Sequence, residues 1–207
     1  MGNFGLVARC SAVAAGAALL LGVAGAAVAE VNYGDQDVDV NVQIPELNVP
    51  GVLAMTVSGT SATLAESGSS ATVRQFTGTL PTVTVTDTRS VDEIPAGAGW
   101  YVLASSSDFT GETGQAPIGA EHLGWAPRLI AGGDSGLVAE GDVVDTVMDS
   151  GPDAVGLVDQ ELLALAFDSA AIAQEGQWTA NADLFLRTSA TVAPGNYTAN
   201  LTLSLFE

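Results

Sequence analysis

Along most of this chain every second residue is apolar, and its neighbours are threonine, serine, asparagine or aspartate. Val38, Val40, Val42 and Ile44 alternate with Asp39, Asn41 and Gln43, and Val83 and Val85 alternate with Thr84 and Thr86. A period of two sends successive side chains to opposite faces, so each run reads as a strand with one face buried. Runs at 51–57, 71–80, 100–106, 177–188 and 196–206 follow the same rule, with Gly, Pro, Ser and Asn between them. Many short strands joined by such turns imply an all-β chain, an antiparallel immunoglobulin-like β-sandwich preceded by a signal-peptide helix.

Some segments need separate reading. Pro81 cannot donate to a ladder, so it is expected at a bulge or sheet edge between the runs on either side of it. Residues 108–127 carry scattered Gly, Pro and Thr and read as loop. Residues 159–174 hold Leu, Ala and Glu, which favour helix, yet Leu163, Leu165 and Phe167 alternate. Strand followed by turn is the reading adopted there. Pro194-Gly195 marks the turn between the last two long runs.

The start of the chain carries an address. Arg9 is the only charge before residue 30, an apolar run spans 12–28, and Ala27-Val28-Ala29 places small residues at −3 and −1. That is a secretory signal peptide over 1–29, leaving a single mature domain at 30–207. The run is marginal for a membrane span and rich in weakly hydrophobic Ala and Gly, so no membrane attachment is expected after cleavage. Cys10, the only cysteine, precedes the apolar core and follows Arg9, which does not suit a lipoprotein. The mature chain therefore has no disulfide and no thiol chemistry, and a packed core must stabilise it. The formal charge is −19, with no lysine and all 24 carboxylates after the leader. Such a surface excludes nucleic acid as a partner, because that binding relies on Lys and Arg neutralising phosphates. It also disfavours anionic lipid.

Particular motifs resemble a family. Val85-Thr86-Asp87-Thr88-Arg89 is followed by Gly99-Trp100-Tyr101-Val102 and Ser107-Asp108-Phe109. The chain ends on Pro194-Gly195-Asn196-Tyr197-Thr198-Ala199-Asn200-Leu201-Thr202-Leu203. This order is similar to the WxL domains of Gram-positive cell surfaces, which carry a VTDTR-like run, a mid-domain Trp-x-Leu and a second Trp-x-Leu near the end. The resemblance runs from about residue 37 to residue 206. It implies a secreted or wall-associated protein that holds peptidoglycan, or other surface proteins, without a covalent link. Val102 stands where the first motif has Leu, and Leu201 where the second has Trp. These departures bear on wall attachment more than on fold.

The candidate contact residues are Trp100, Tyr101 and Trp125. Trp100 opens an alternating strand, which favours the core; facing out, its indole would stack on a sugar ring. Tyr101 has the opposite parity, so one of the two faces outward. Trp125 lies between Gly and Pro in the expected loop, which favours exposure. Two functions of different kinds follow: a cell-envelope interaction module, or a freely secreted glycan-binding protein using Trp125 and Tyr101. Catalysis is not expected. Gly133-Asp134-Ser135-Gly136 copies the surroundings of a trypsin-like serine, but a triad needs an oriented histidine and His122 has no such context. Without a mature cysteine, His122 also lacks partners for zinc. Asp35, Asp37 and Asp39 would share one strand face and could offer oxygens to Ca²⁺, but they lack the Gly and distant Glu of an EF-hand. They read as a solvated face, and no cofactor is expected.

Overall fold

The computed structural model describes Gln36, residues 40–45 and residues 49–207. The chain divides into two units, Met1–Glu46 and Leu47–Glu207. The expected signal-peptide helix and Asp35, Asp37 and Asp39 lie outside the described residues. In the first unit, Val40, Val42 and Ile44 are 88%, 81% and 84% exposed, and residues 40–45 form no strand. The half-buried strand expected over 37–44 is therefore corrected for its described part. Alternation creates a demand for a partner, and a strand without neighbours is marginal in water.

The second unit is all-β with antiparallel sheets. Its first strands are β1 (Leu53–Val57), β2 (Ala65–Glu66), β3 (Val73–Thr79) and β4 (Val83–Asp87). There follow β5 (Tyr101–Ser106), β6 (Thr110–Gly111), β7 (Leu123–Ala131) and β8 (Val138–Glu140). The last are β9 (Glu161–Ala166), β10 (Gln177–Ser189), β11 (Tyr197–Thr198) and β12 (Leu201–Phe206).

β10 is the spine of a curled six-stranded sheet. Its thirteen residues alternate in burial almost without a break, with Trp178, Ala180, Ala182, Leu184, Leu186 and Thr188 inward. β7 pairs along one edge. The other edge is shared by β4, opposite residues 177–180, and β3, opposite residues 183–189. The changeover falls at Leu80 and Pro81, where Leu80 N–H still donates to the Ala182 carbonyl at 2.9 Å. Pro81 thus sits at neither the bulge nor the sheet edge expected from its sequence context, but in the gap between two interior strands, where its missing N–H costs no ladder bond. β1 then lies outside β4 and β2 outside β3, which curls the sheet into a half-barrel.

The second sheet has the order β12-β5-β9-β8. Residues 159–174 supply β9 followed by turns, not helix. The alternation expected at Leu163, Leu165 and Phe167 does not persist, because a bulge at Leu163 shifts the register between β5 and β9. Leu163 and Ala164 both point to the core, and Leu165 and Phe167 turn outward. An extra residue in one strand has this effect, since the side-chain period is two. The Pro194-Gly195 connection links strands of different sheets, β10 and β12, by way of the short β11–β6 pair.

One apolar core joins the two sheets. Trp100, immediately before β5, packs on Trp178 of β10 with ring centroids 5.3 Å apart and a 46° tilt. Val83, Val85, Val102, Leu163 and Ala180 surround them. A buried tryptophan pair supplies large apolar area to a chain whose single cysteine, Cys10, has no second cysteine with which to form an internal disulfide.

Candidate functional site

β7 overturns one expectation. Trp125 is not a loop residue; it is fully buried as the third residue of a nine-residue strand, opposite Leu184. Gly124, Ala126 and Pro127 hid the strand, since none of them shows the alternation. Pro127 is tolerated for a geometric reason. Trp125 exchanges both backbone hydrogen bonds with Val144 at 3.0 Å, so the N of residue 127, two positions on, points to that same side and away from β10. No bond to β10 is lost.

Trp100 is equally buried, at 1% exposure. Among the described residues the indole N–H groups of Trp100 and Trp125 have no hydrogen-bond partner, so both rings serve as packing mass. Of the three candidates only Tyr101, 39% exposed, reaches solvent. It is stacked on Phe206 of β12, its register partner, with centroids 5.3 Å apart and an interplanar angle of 18°. Parity adds Leu103 on β5 and Leu165 on β9 to the same outer face, and Phe167, 63% exposed, lies just beyond β9. The outer face of an antiparallel sheet is ordinarily polar. Here it is aromatic and aliphatic instead. Phe206 was missed in the sequence, although its parity within 201–206 opposes the inward Leu201, Leu203 and Leu205.

The VTDTR-like run is a structural clamp. Asp87 ends β4 with its side chain inward, 2% exposed. Arg89 grips it with two side-chain bonds, Nε at 2.8 Å and Nη2 at 2.7 Å, and with its backbone N–H at 3.1 Å. The remaining Nη1 holds Glu207 at 2.7 Å, tying the end of the chain to β4. Burial raises the Asp87 pKa, but the Arg89 hydrogen bonds and charge outweigh it and hold the carboxyl below its usual range. Gly51 passes so close that a Cβ there would collide with the Arg89 backbone.

The Gly133–Gly136 segment is a turn held from outside. Gly133 and Gly136 both take left-handed φ, at 84° and 74°, and Gly136 N–H donates to Gly133 O at 2.9 Å. Glu175 accepts the N–H of Gly133 at 2.9 Å, the N–H of Ser135 at 3.3 Å and the Trp178 indole N–H at 2.7 Å. Hydrogen bonds from Ser135 and Gly133 hold its carboxyl below the usual range. The Ser135 hydroxyl accepts from Leu137 N–H at 3.3 Å, and His122 engages the Arg187 carbonyl through Nδ1 at 2.6 Å. Each of these side chains thus engages a backbone group of the fold.

Among the described residues each of the four arginines is paired within the chain. Arg74 pairs with Glu66, Arg128 with Asp183 and Arg187 with Asp149, besides the Arg89 clamp. Among the described residues no three His, Cys, Asp or Glu side chains converge as metal ligands, and no helix is long and apolar enough to cross a membrane.

Carboxylates crowd one another at the start of β9. Burial raises the Glu161 pKa first, and the charges of Asp159 and Asp153 raise it further. A carboxyl raised in the folded state favours folding when protonated, and that contribution is lost as pH rises through its folded value. Glu161→Gln is accordingly expected to raise the melting temperature at pH 7. The gain should vanish near pH 3, where the native glutamate is already neutral; thermal melts at both values check this.

Compared with protein-family models, with curated proteins and with solved structures, the chain matches none.

Proposed function

We propose that this chain is a secreted, non-catalytic module of the cell envelope, held on wall polymers or surface proteins without a covalent link. The observation that carries the reading is the exposed Tyr101–Phe206 stack with its apolar surround on the outer face of the second sheet. Flat, rigid rings offer contact area at low entropic cost and suit a sugar face. The WxL-like order of motifs supports the same reading, as does the two-sheet core around Trp100, which we take as an immunoglobulin-like sandwich. In this proposal the first Trp motif builds the core and its neighbour Tyr101 makes the contact. The freely secreted alternative relied on Trp125 as a second exposed aromatic, and the burial of that residue leaves it less support.

Sedimentation of the mature protein with purified peptidoglycan tests the proposal. Co-sedimentation released by chaotrope is expected, and Tyr101→Ala with Phe206→Ala should weaken it by about tenfold or more. The melting temperature should fall only modestly, because the rings are 39% and 37% exposed and lie outside the core, and a stacked aromatic pair contributes about 0.5–1.5 kcal/mol. Protein that stays in the supernatant at every wall concentration would sink the idea.

A further inference from the structure

The two halves of the Arg89 guanidinium face different surroundings. Nε and Nη2 hold Asp87, whose side chain is 1% exposed, so that pair is shut off from water. Nη1 holds Glu207 at 2.7 Å, and the Glu207 side chain is 31% exposed. Water and salt can therefore compete for the second contact and not for the first. One guanidinium makes a permanent bond and an exchangeable one.

The exchangeable bond falls beside the outer aromatic stack. Glu207 directly follows Phe206, the last residue of β12, which stands opposite Tyr101. The Asn200 carbonyl accepts the Ser107 N–H at 2.9 Å, and alternation along β12 turns the backbone groups of Thr202, Ser204 and Phe206 to that same side, toward β5. Phe206 is therefore the final rung of the ladder. Among the described residues β12 pairs with β5 alone, so no strand on its other edge supports that rung. The end of an edge strand opens more readily than the core, because few contacts oppose it. Beyond the ladder itself, this end is held by the Tyr101 stack and by the Glu207 bond to Arg89.

We propose that Glu207 is a positioning residue, a latch whose bond to Arg89 pins the end of β12 and keeps Phe206 stacked on Tyr101. The outer aromatic face is thereby coupled to the buried Asp87–Arg89 clamp of the first sheet. With the latch made, the two rings present one preorganised surface, and a ligand need not order them on binding. With it broken, the last rung frays and the rings part, while Asp87 and Arg89 still hold the core together. The latch's effect on binding rests on the wall-contact reading of the stack; its effect on the stack does not.

Amide hydrogen exchange at Phe206 and the Tyr101–Phe206 ring contact, both read by NMR on the mature protein, are the first measurements. Glu207→Gln keeps the size and removes the charge. It should speed exchange at Phe206 by about three- to fivefold and weaken the ring contact. Its melting temperature should fall far less than that of Arg89→Ala. Glu207→Asp, which keeps the charge, should lie between native and Glu207→Gln. Glu66→Gln removes one carboxylate from the Arg74 pair on β2 and β3 and should leave Phe206 as it is. Sedimentation with purified peptidoglycan reads the second effect: Glu207→Gln should bind about three- to fivefold more weakly and Glu66→Gln as the native protein does. Exchange and ring contact that Glu207→Gln leaves unchanged overturn the latch. So does equal speeding in Glu66→Gln, which would assign the effect to net charge, or a loss of stability in Glu207→Gln as large as that of Arg89→Ala. A frayed stack with native wall binding overturns the coupling to the contact. Native protein that never sediments sinks the wall reading alone, and the exchange rates still decide the latch.

Discussion

Arg89→Ala is expected to destabilise the fold by about 3–5 kcal/mol, the cost of leaving a buried charge without its partner. The Asp87 side chain is 1% exposed and that of Arg89 11% exposed, so water cannot replace the lost bonds. Urea unfolding should show a lower midpoint with an unchanged slope. Arg89→Lys should fall between the two, because an ammonium keeps the charge but cannot match the carboxylate with a fork. The loss should also depend on pH, with a sign fixed by the direction of the Asp87 shift. Asp87 is held below its unfolded value, near about 3.9. Its contribution is therefore complete above that pH and fades as pH falls through the folded value. Native protein and Arg89→Ala should converge in stability in acid, and a difference constant from pH 7 to pH 2 would refute the clamp.

Trp100→Ala should cost a similar amount, about 3–5 kcal/mol, through the cavity it opens against Trp178. The more discriminating comparison is with phenylalanine. The Trp100 indole N–H has no partner among the described residues, so Trp100→Phe loses only volume. Trp178→Phe loses volume and also the 2.7 Å bond to Glu175, a hydrogen bond to a charged group worth about 1.5–3 kcal/mol. Thermal or urea unfolding should therefore rank Trp178→Phe as the more damaging. Wall sedimentation adds a functional contrast. Trp100→Phe, which keeps the fold, should bind as the native protein does, whereas the Tyr101 and Phe206 variants should not. Loss of binding in a folded Trp100→Phe would return the contact to Trp100.

The strands that the alternation made legible were those whose two faces differ in kind. β4 and β10 put mostly valine, leucine, alanine or tryptophan inward and threonine, asparagine or charged residues outward, with Asp87 and Thr188 inward and Phe185 outward as the exceptions. β7 gave no such signal, because Gly124, Ala126 and Pro127 are small or rigid on both faces. Its strand state comes from β10 on one side and Val144 on the other. Trp125 was misplaced for that reason. The outer aromatic face was half legible: opposite parity at Trp100 and Tyr101 required one ring to be out and the alternating strand favoured Trp100 in the core, but nothing local brought Phe206 beside Tyr101.

The sequence by itself determined a β chain, a tryptophan-centred core without disulfides and a strongly acidic surface, since these follow from local periodicity and composition. Only the tertiary structure decided which edges stay open, which aromatics reach water and what Arg89 holds. Those outcomes depend on register between strands far apart in the chain. A one-residue bulge at Leu163 is enough to turn Leu165 and Phe167 outward.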